Sequence, residues 1–170
     1  MFVKAALALG REGGRDAVTV REVARRAGYS PAALYGYFDG RPTILRAVVE
    51  EADRQLAGRL ADVSSDMPGP ERLVRLGLAY LAFAHYERGT FGLVGSPAAG
   101  GPPPAAFTVF LEAAAAGGFV ERPGIDADAI AYAVWSLAHG MAVSLGGRDA
   151  DDRRDRTILE HVVNGFAREA

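Results

Sequence analysis

The 170-residue chain contains no cysteine, which excludes disulfide bonds and thiolate metal sites. It has one lysine, Lys4, and three histidines, His85, His139 and His161, which lack the spacing of an HExxH zinc motif. No apolar run approaches the roughly 18 residues that span a bilayer. The apolar stretch Met1–Leu9 lacks the cleavage site of a signal peptide. We therefore expect a cytoplasmic protein without a metal, a cofactor or a membrane partner.

Strand-like alternation of apolar and polar residues is also missing, so we predict an all-α fold of about nine helices. The sequence has no phosphate-cradling glycine loop after a strand and no nucleophile elbow. Acidic residues cluster only in surface-like runs such as 149–152. We therefore do not expect an enzyme.

The net charge of −2 conceals an uneven distribution. Residues 1–46 contain eight basic and four acidic side chains, whereas the remainder contains 11 basic and 17 acidic ones. A basic head on an acidic body is typical of a protein whose one end meets a polyanion.

Two short capped helices are predicted in the basic head. Thr19 and Glu22 have the spacing of a capping box, in which each side chain would bond a backbone amide near the helix start. Gly28 is placed to end this helix in a left-handed conformation. Ser30 then provides a second N-cap, with Pro31 at the first position of the next helix, which we expect to reach Phe38.

The rest of the chain reads as a connector and a helical body. A first helix, 2–10, is expected to stop at Gly13-Gly14, and a long helix is expected over 41–63. Further helices are predicted at 71–88, 90–94, 105–117, 126–145 and 152–167, with a loop at 95–104 and a turn at 146–151. The helix 126–145 is apolar on nearly every face, which predicts burial on nearly every face. We divide the chain into domains 1–46 and 47–170.

The pair of short helices has the chemistry of a DNA-binding helix-turn-helix. The turn sets the second helix at a steep angle, so that it can enter a major groove. Helix N-termini suit phosphate, and the hydroxyls of Tyr35 and Tyr37 can reach phosphate oxygens. Ala32 and Ala33 are small enough to approach thymine methyl groups.

The segment TVREVARRAGYSPAALYGYFDGRPTIL resembles the DNA-binding domain of TetR-family regulators. The matching positions are Thr19, Val23, Ala24, Ala27, Gly28, Ser30, Ala33, Leu34, Tyr35, Tyr37, Phe38 and Leu45, with Arg41 where the family usually has lysine. The resemblance implies a three-helix N-terminal DNA-binding domain followed by a helical ligand-binding and dimerisation domain.

The resemblance also implies roles for single residues. Contacts to the DNA backbone would come from Thr19, Ser30, Tyr35, Tyr37 and Arg41. Arg21, Ala32, Ala33 and Gly36 would face the bases, beside Pro31. The family commonly has a basic arm before the first helix, whereas this sequence starts at Met1, inside that helix. If the arm is absent, DNA binding is expected to be weaker.

In the body, Trp135-Ser-Leu-Ala-His139-Gly140 resembles the W-x(3)-H-G signature of one TetR subgroup. Aromatic residues of the body either line a ligand pocket or form plain core; the candidates are Phe83, Tyr86, Phe107, Phe110, Trp135 and His139. The last two long helices present more apolar surface than one body can cover, so we expect a homodimer. Its predicted interface consists of Val134, Ala138, Ala142, Ile158, Val162, Gly165 and Phe166. Gly140 is expected to allow a close helix approach, within the subunit or across the dimer.

The resemblance implies a repressor that binds a palindromic operator in double-stranded DNA and is released by a small, mostly apolar effector. Helix 43–63 is the expected coupling element. The alternative is a dimeric small-molecule-binding protein with weak or no DNA binding.

Overall fold

The structure is a computed structural model that describes residues 1–94, 103–120, 122–145 and 152–168. Over these residues the chain forms nine α-helices, and its only extended pairings are two isolated bridges. The helices are α1 (Phe2–Ala17), α2 (Val20–Ala27), α3 (Pro31–Tyr35), α4 (Arg41–Ala61), α5 (Gly69–Tyr86), α6 (Arg88–Phe91), α7 (Ala105–Ala115), α8 (Ala127–Leu145) and α9 (Asp152–Asn164). The predicted all-α class is confirmed.

Several helix ends differ from the prediction, by one to three residues except at the end of α1. Helix α1 continues to Ala17, because Gly13 and Gly14 leave helical geometry without ending the helix and instead kink it. Gly14 has a φ of 69°, which glycine adopts at little steric cost. Helix α3 ends at Tyr35, three residues before its predicted end. The predicted loop 95–104 (apart from its last two residues) and turn 146–151 lie outside the described residues.

The chain divides into two compact units. Unit 1 comprises Met1–Gln55 and Glu87–Pro102, whose residues from 95 onward are outside the described part. Unit 2 comprises Leu56–Tyr86 and Pro103–Ala170. Helix α4 is continuous through residue 55, and α6 returns to unit 1. The predicted boundary at residue 46 rests on local sequence, which does not show that α6 belongs to the same unit as the N-terminal helices.

Unit 1 has its own hydrophobic core, to which α1, α2, α3, α4 and the segment after α6 contribute. The buried residues are Phe2, Ala6, Leu7, Leu9, Val18, Val23, Ala24, Leu34, Ile44, Val48, Ala52 and Leu93. Glycines allow α6 to lie close to α1. A Cβ atom at Gly10 would come within 2.8 Å of the Leu93 side chain, and one at Gly89 within 2.8 Å of the Arg11 carbonyl oxygen.

Unit 2 is a bundle in which α5 packs against α7, α8 and α9, while α8 also packs against α7 and α9. Its fully buried residues include Leu73, Leu76, Tyr80, Phe110, Ala113, Ala131, Val134, Ala138, Leu159 and Val163. Gly77 brings α5 close to α9, since a Cβ atom there would lie 2.7 Å from the Leu159 side chain.

Helix α8 is not buried on every side, contrary to the prediction from its composition. Tyr132 and Val143 are each 60% exposed, and Gly140 is exposed as well. No described atom outside its own helix backbone and chain neighbours lies within 4 Å of a Cβ built at Gly140. The expected close approach at Gly140 is therefore not made among the described residues of this chain. The apolar composition of α8 reflects one packed side and one open side.

Two features are absent from the described residues. No helix in them is both long and apolar enough to cross a membrane. No group of three or more His, Asp or Glu side chains in them is arranged to hold a metal ion.

Candidate functional site

The local chemistry of α2 and α3 follows the capping pattern of the sequence. The Thr19 hydroxyl accepts a hydrogen bond from the Glu22 amide at 3.2 Å, and the Ser30 hydroxyl accepts one from the Ala33 amide at 3.2 Å. Gly28 ends α2 with a φ of 78°, as expected for a left-handed C-cap. These three residues set the lengths of both helices and of the turn between them.

One half of the predicted capping box is absent. The Glu22 carboxylate accepts a hydrogen bond from Arg25 Nε at 2.9 Å, three residues along the same helix, rather than from the Thr19 amide. The Thr19 amide instead donates to the Ala17 carbonyl oxygen at 3.1 Å. A charged partner on the adjacent turn is a stronger competitor for Glu22 than an amide that already has an acceptor.

Helix α3 buries one residue and exposes most of the others. Leu34 is fully buried, whereas Ala32, Tyr35 and Gly36 are exposed and Ala33 is half-buried. The exposed residues predicted to face DNA therefore share an accessible surface on a helix that Leu34 anchors.

An aromatic cluster that the sequence analysis missed supports this surface. The ring of Phe2, at the start of α1, lies 5.2 Å from Tyr29, 5.3 Å from Tyr37 and 6.5 Å from Phe38 between centroids. Phe2 is buried, but Tyr37 remains 74% exposed. Phe2 therefore packs against the rings of Tyr29 and Tyr37, and both tyrosines remain exposed enough to contact a partner. No local pattern links position 2 to positions 29 and 37; only the tertiary fold brings them together.

Most basic side chains of the head are engaged within unit 1. Arg26 makes two hydrogen bonds to the Glu12 carboxylate, at 2.7 and 2.6 Å, which lower the pKa of Glu12 and raise that of Arg26. The other engaged cations are Arg11 with Thr90 and Gln55, Arg15 with the Leu93 carbonyl, Arg25 with Glu22, and Arg41 with two backbone carbonyls at the end of α1.

Lys4, Arg21 and Arg46 are exposed and form neither an ion pair nor a side-chain hydrogen bond with the described part of the chain. Arg21 lies in the first turn of α2, two residues after the Thr19 cap. Among the predicted DNA-facing cations, Arg21 is the one whose charge is available, whereas the Arg41 guanidinium is turned back onto the protein.

Unit 2 contains a second cluster, built around His139. The Tyr80 hydroxyl and His139 Nδ1 are 2.8 Å apart, and the His139 ring stacks on Trp135 at 5.7 Å. Trp135 meets Phe107 edge-on at 5.8 Å, and Tyr80 meets Phe110 edge-on at 6.3 Å. Four predicted ligand-site residues are thus in one aromatic cluster, together with Tyr80, which was not among the candidates.

Burial lowers the pKa of His139, because the charged imidazolium is less well solvated there. Neutral imidazole can accept a hydrogen bond from the Tyr80 hydroxyl. The Trp-His pair of the sequence motif therefore forms a hydrogen-bonded, stacked and partly buried element of unit 2.

The two other predicted ligand residues differ from this group. Phe83 is buried, but Tyr86, the last residue of α5, is 81% exposed. Its ring contacts His85 edge-on at 4.7 Å. Tyr86 therefore does not line an interior pocket of unit 2, and we remove it from the candidate ligand site.

The predicted dimer residues of α8 lie on the wrong side of that helix. Val134, Ala138 and Ala142 are buried inside unit 2, so they are not available to a partner. The open side carries Tyr132, Ser136, Gly140 and Val143 at helical spacing. A period of 3.6 residues shows which positions share a face, but not which of two apolar faces turns inward.

The predicted interface residues of α9 and of the segment after it are accessible to different degrees. Gly165 and Ile158 are exposed, and Val162 and Phe166 are half-buried. A groove of about 470 Å³ separates the two helices and is lined by Gly140 and Met141 from α8 and by Ile158 from α9. The outer faces of α8 and α9 therefore form one partly apolar surface.

The chain resembles known proteins in the sequence of its N-terminal segment and in its fold. Residues 2–48 match the family model described as bacterial regulatory proteins, tetR family. A bacterial regulatory protein in the tetR family from Rhodococcus RHA1 has a similar structure, with 20% identity, coverage of 99% of this chain and 96% of that one, and a TM-score of 0.67. No protein of curated function matches the chain by sequence.

Two similar structures contain ligands. FadR from Bacillus subtilis, in complex with stearoyl-CoA, is 16% identical, with 97% of each chain covered and a TM-score of 0.69. A TetR variant from Acinetobacter baumannii AYE, in complex with minocycline, is 23% identical, with 97% of this chain and 93% of that one covered and a TM-score of 0.70. Residues 2–48 thus match the tetR-family model, and the chain shares the fold of these solved structures.

The lowered pKa of His139 predicts a pH dependence of stability. The unfolded chain gains a proton as the pH falls through 6.5, the ordinary histidine value, while folded His139 stays neutral until its lower pKa is reached. Folding stability due to His139 is therefore fully present above pH 6.5 and is lost as the pH falls toward the folded pKa.

His139→Gln, which can still accept from Tyr80, should show a flatter decline of thermal stability between pH 7 and 5 than the wild type. His161→Gln, at an exposed position, is the matched control and should follow the wild type. Parallel pH profiles for the wild type and His139→Gln would contradict this role of burial.

Proposed function

We propose that this chain is a repressor that binds a palindromic DNA operator through α2 and α3 and leaves it when a small, mostly apolar effector binds unit 2. The observation that carries the proposal is the exposed surface of Arg21, Ala32, Tyr35, Gly36 and Tyr37 on a capped helix-turn-helix. Small residues on α3 suit a close approach to base edges, and tyrosine hydroxyls and Arg21 suit phosphate.

The proposal assigns all ten DNA-facing candidates to this part of unit 1. Nine of them belong to the surface or its caps: Thr19, Arg21, Ser30, Pro31, Ala32, Ala33, Tyr35, Gly36 and Tyr37. Arg41, the tenth, belongs to it indirectly, because its donors contact the protein backbone.

A homodimer fits the two-fold symmetry of a palindromic operator. We infer that its interface is the open side of α8, with Tyr132, Gly140 and Val143, together with Ile158 and the neighbouring surface of α9. Exposed apolar side chains on both helices and the groove between them support this interface.

We further infer that the effector binds among the aromatic side chains Phe107, Phe110, Trp135 and His139. Phe83, a buried residue of α5, stays a further candidate. The ligands of two structural neighbours, stearoyl-CoA and minocycline, motivate this inference. The chain connects the units through α4 and again between α5 and α6, so both α4 and α6 can transmit a change. The Trp135–His139 stack is also the feature that favours the W-x(3)-H-G subgroup.

The alternative, a dimeric ligand-binding protein with weak DNA affinity, is favoured by one observation. Five of the eight cations of the head, Arg11, Arg15, Arg25, Arg26 and Arg41, are held in contacts within unit 1. Fewer cations are then available to neutralise phosphates.

DNA binding is tested by selecting duplexes from a random library and including the DNA that flanks the gene. We expect inverted half-sites whose centres are about one helical turn apart, bound by a protein that sediments as a dimer. Arg21→Gln should reduce the slope of log affinity against log salt by about one unit, because one phosphate contact is lost.

Arg59→Gln is the control, since it removes the same charge from an exposed position in unit 2. No retarded complex with any duplex at low to moderate salt would favour the alternative function. A slope unchanged by Arg21→Gln would remove Arg21 from the DNA contacts.

Effector binding is tested by thermal shift and by release of the selected duplex, with stearoyl-CoA and minocycline as the first probes. A compound that acts through the aromatic cluster should raise the melting temperature and release DNA from the wild type but not from Trp135→Ala. Equal action on both proteins would place the effector elsewhere. A wide panel that changes neither stability nor DNA binding would favour a regulator without an effector.

A further inference from the structure

Arg41 is the first residue of α4, and its side chain reaches back to the end of α1. Nε donates to the Val18 carbonyl oxygen at 2.9 Å, and Nη2 donates to the Arg15 carbonyl oxygen at 2.9 Å. The last carbonyls of a helix have no partner within the helix. Arg41 therefore donates to two acceptors at the C-terminal end of α1, and the Arg15 carbonyl also accepts from the Val18 amide at 3.2 Å.

These contacts bracket the helix-turn-helix. Val18 is fully buried and immediately precedes Thr19, the N-cap of α2. Arg41 immediately follows Gly40, whose φ of 136° completes the turn after α3. A single side chain thus joins the residue before α2 to the residue after the α3 turn, and so closes the segment 19–40 at both ends.

The surroundings of Arg41 disfavour a direct contact with phosphate. The Asp16 carboxylate lies 3.3 Å from Nη2, and its side chain is fully exposed. A phosphate at this guanidinium would approach that negative charge, and two of the three guanidinium nitrogens already donate to the protein. Arg21, by contrast, has no partner among the described residues.

We propose that Arg41 is a positioning residue: it holds the N-terminus of α2, with Thr19 and Arg21, in register with α3, and it does not itself neutralise a phosphate. The proposal rests on the DNA-binding function proposed above. It assigns to this arginine a task that lysine cannot repeat, because one ammonium group lacks the planar fork that reaches two carbonyls in fixed directions.

The test compares Arg41→Lys and Arg41→Gln with the wild type. Binding of the selected duplex is measured over a range of salt concentrations, at a temperature where circular dichroism shows every variant fully folded. We expect both variants to bind about tenfold more weakly, as for the loss of one charge-assisted hydrogen-bonded contact, with the salt slope unchanged. Arg21→Gln, which lowers the slope, is the matched comparison.

Two other outcomes would overturn the proposal. If Arg41 contacts phosphate, Arg41→Lys binds like the wild type while Arg41→Gln loses about one unit of salt slope. If Arg41 serves stability alone, both variants melt at lower temperature, yet the folded proteins bind DNA with wild-type affinity and slope.

Amide hydrogen exchange in the free protein tests, without DNA, whether Arg41 holds the two ends of segment 19–40 together. Arg41→Lys should exchange faster at residues 18–22 and 36–40, with α8 unchanged. Unaltered exchange in both segments would contradict this role of Arg41. A wild type that binds no duplex would contradict the proposed function, whereas the exchange result would still decide whether Arg41 holds α2.

Discussion

The DNA-facing surface depends on the burial of a few side chains beneath two helices that are too short to persist alone. Helices α2 and α3 have eight and five residues, whereas isolated helices shorter than about 12 residues are marginal in water. Val23, Ala24 and Leu34 are fully buried, and they attach both helices to the core of unit 1. These anchors lie on the faces of α2 and α3 that pack against the core, so the side chains on the other faces stay accessible.

The arginines of unit 1 can either bind phosphate or make contacts within the unit, and an arginine held in an internal contact is less available to phosphate. Contacts of Arg11 with Thr90 and Gln55, and of Arg15 with the Leu93 carbonyl, join α1 to α4, to α6 and to the segment after α6. A head with a net positive charge therefore has few cations available for phosphate. Its affinity for DNA should depend on Arg21, the tyrosines and the close approach of α3 more than on total charge.

The features that the sequence predicted well are local. Thr19, Gly28 and Ser30 act through atoms within a few residues of themselves, so their caps could be predicted from spacing alone. The number and order of helices followed from apolar periodicity and from glycine and proline breaks.

The features that it missed depend on tertiary contacts. Phe2 meets Tyr29 and Tyr37, and α6 belongs to unit 1, only because distant segments fold together. Glu22 prefers Arg25, and Arg41 prefers two carbonyls, because competing partners are decided by three-dimensional proximity. The inward face of α8 could not be chosen from composition, since Val134 and Val143 are equally apolar but only the first is buried.

The central claim is that the exposed surface of α2 and α3 is where DNA binds. It is tested most directly by titrating the isotopically labelled protein with a selected duplex and mapping the changes of amide chemical shift. We expect the largest changes at residues 19–22 and 29–38, with smaller ones elsewhere in unit 1. Binding that leaves both segments unchanged while perturbing another surface would contradict it.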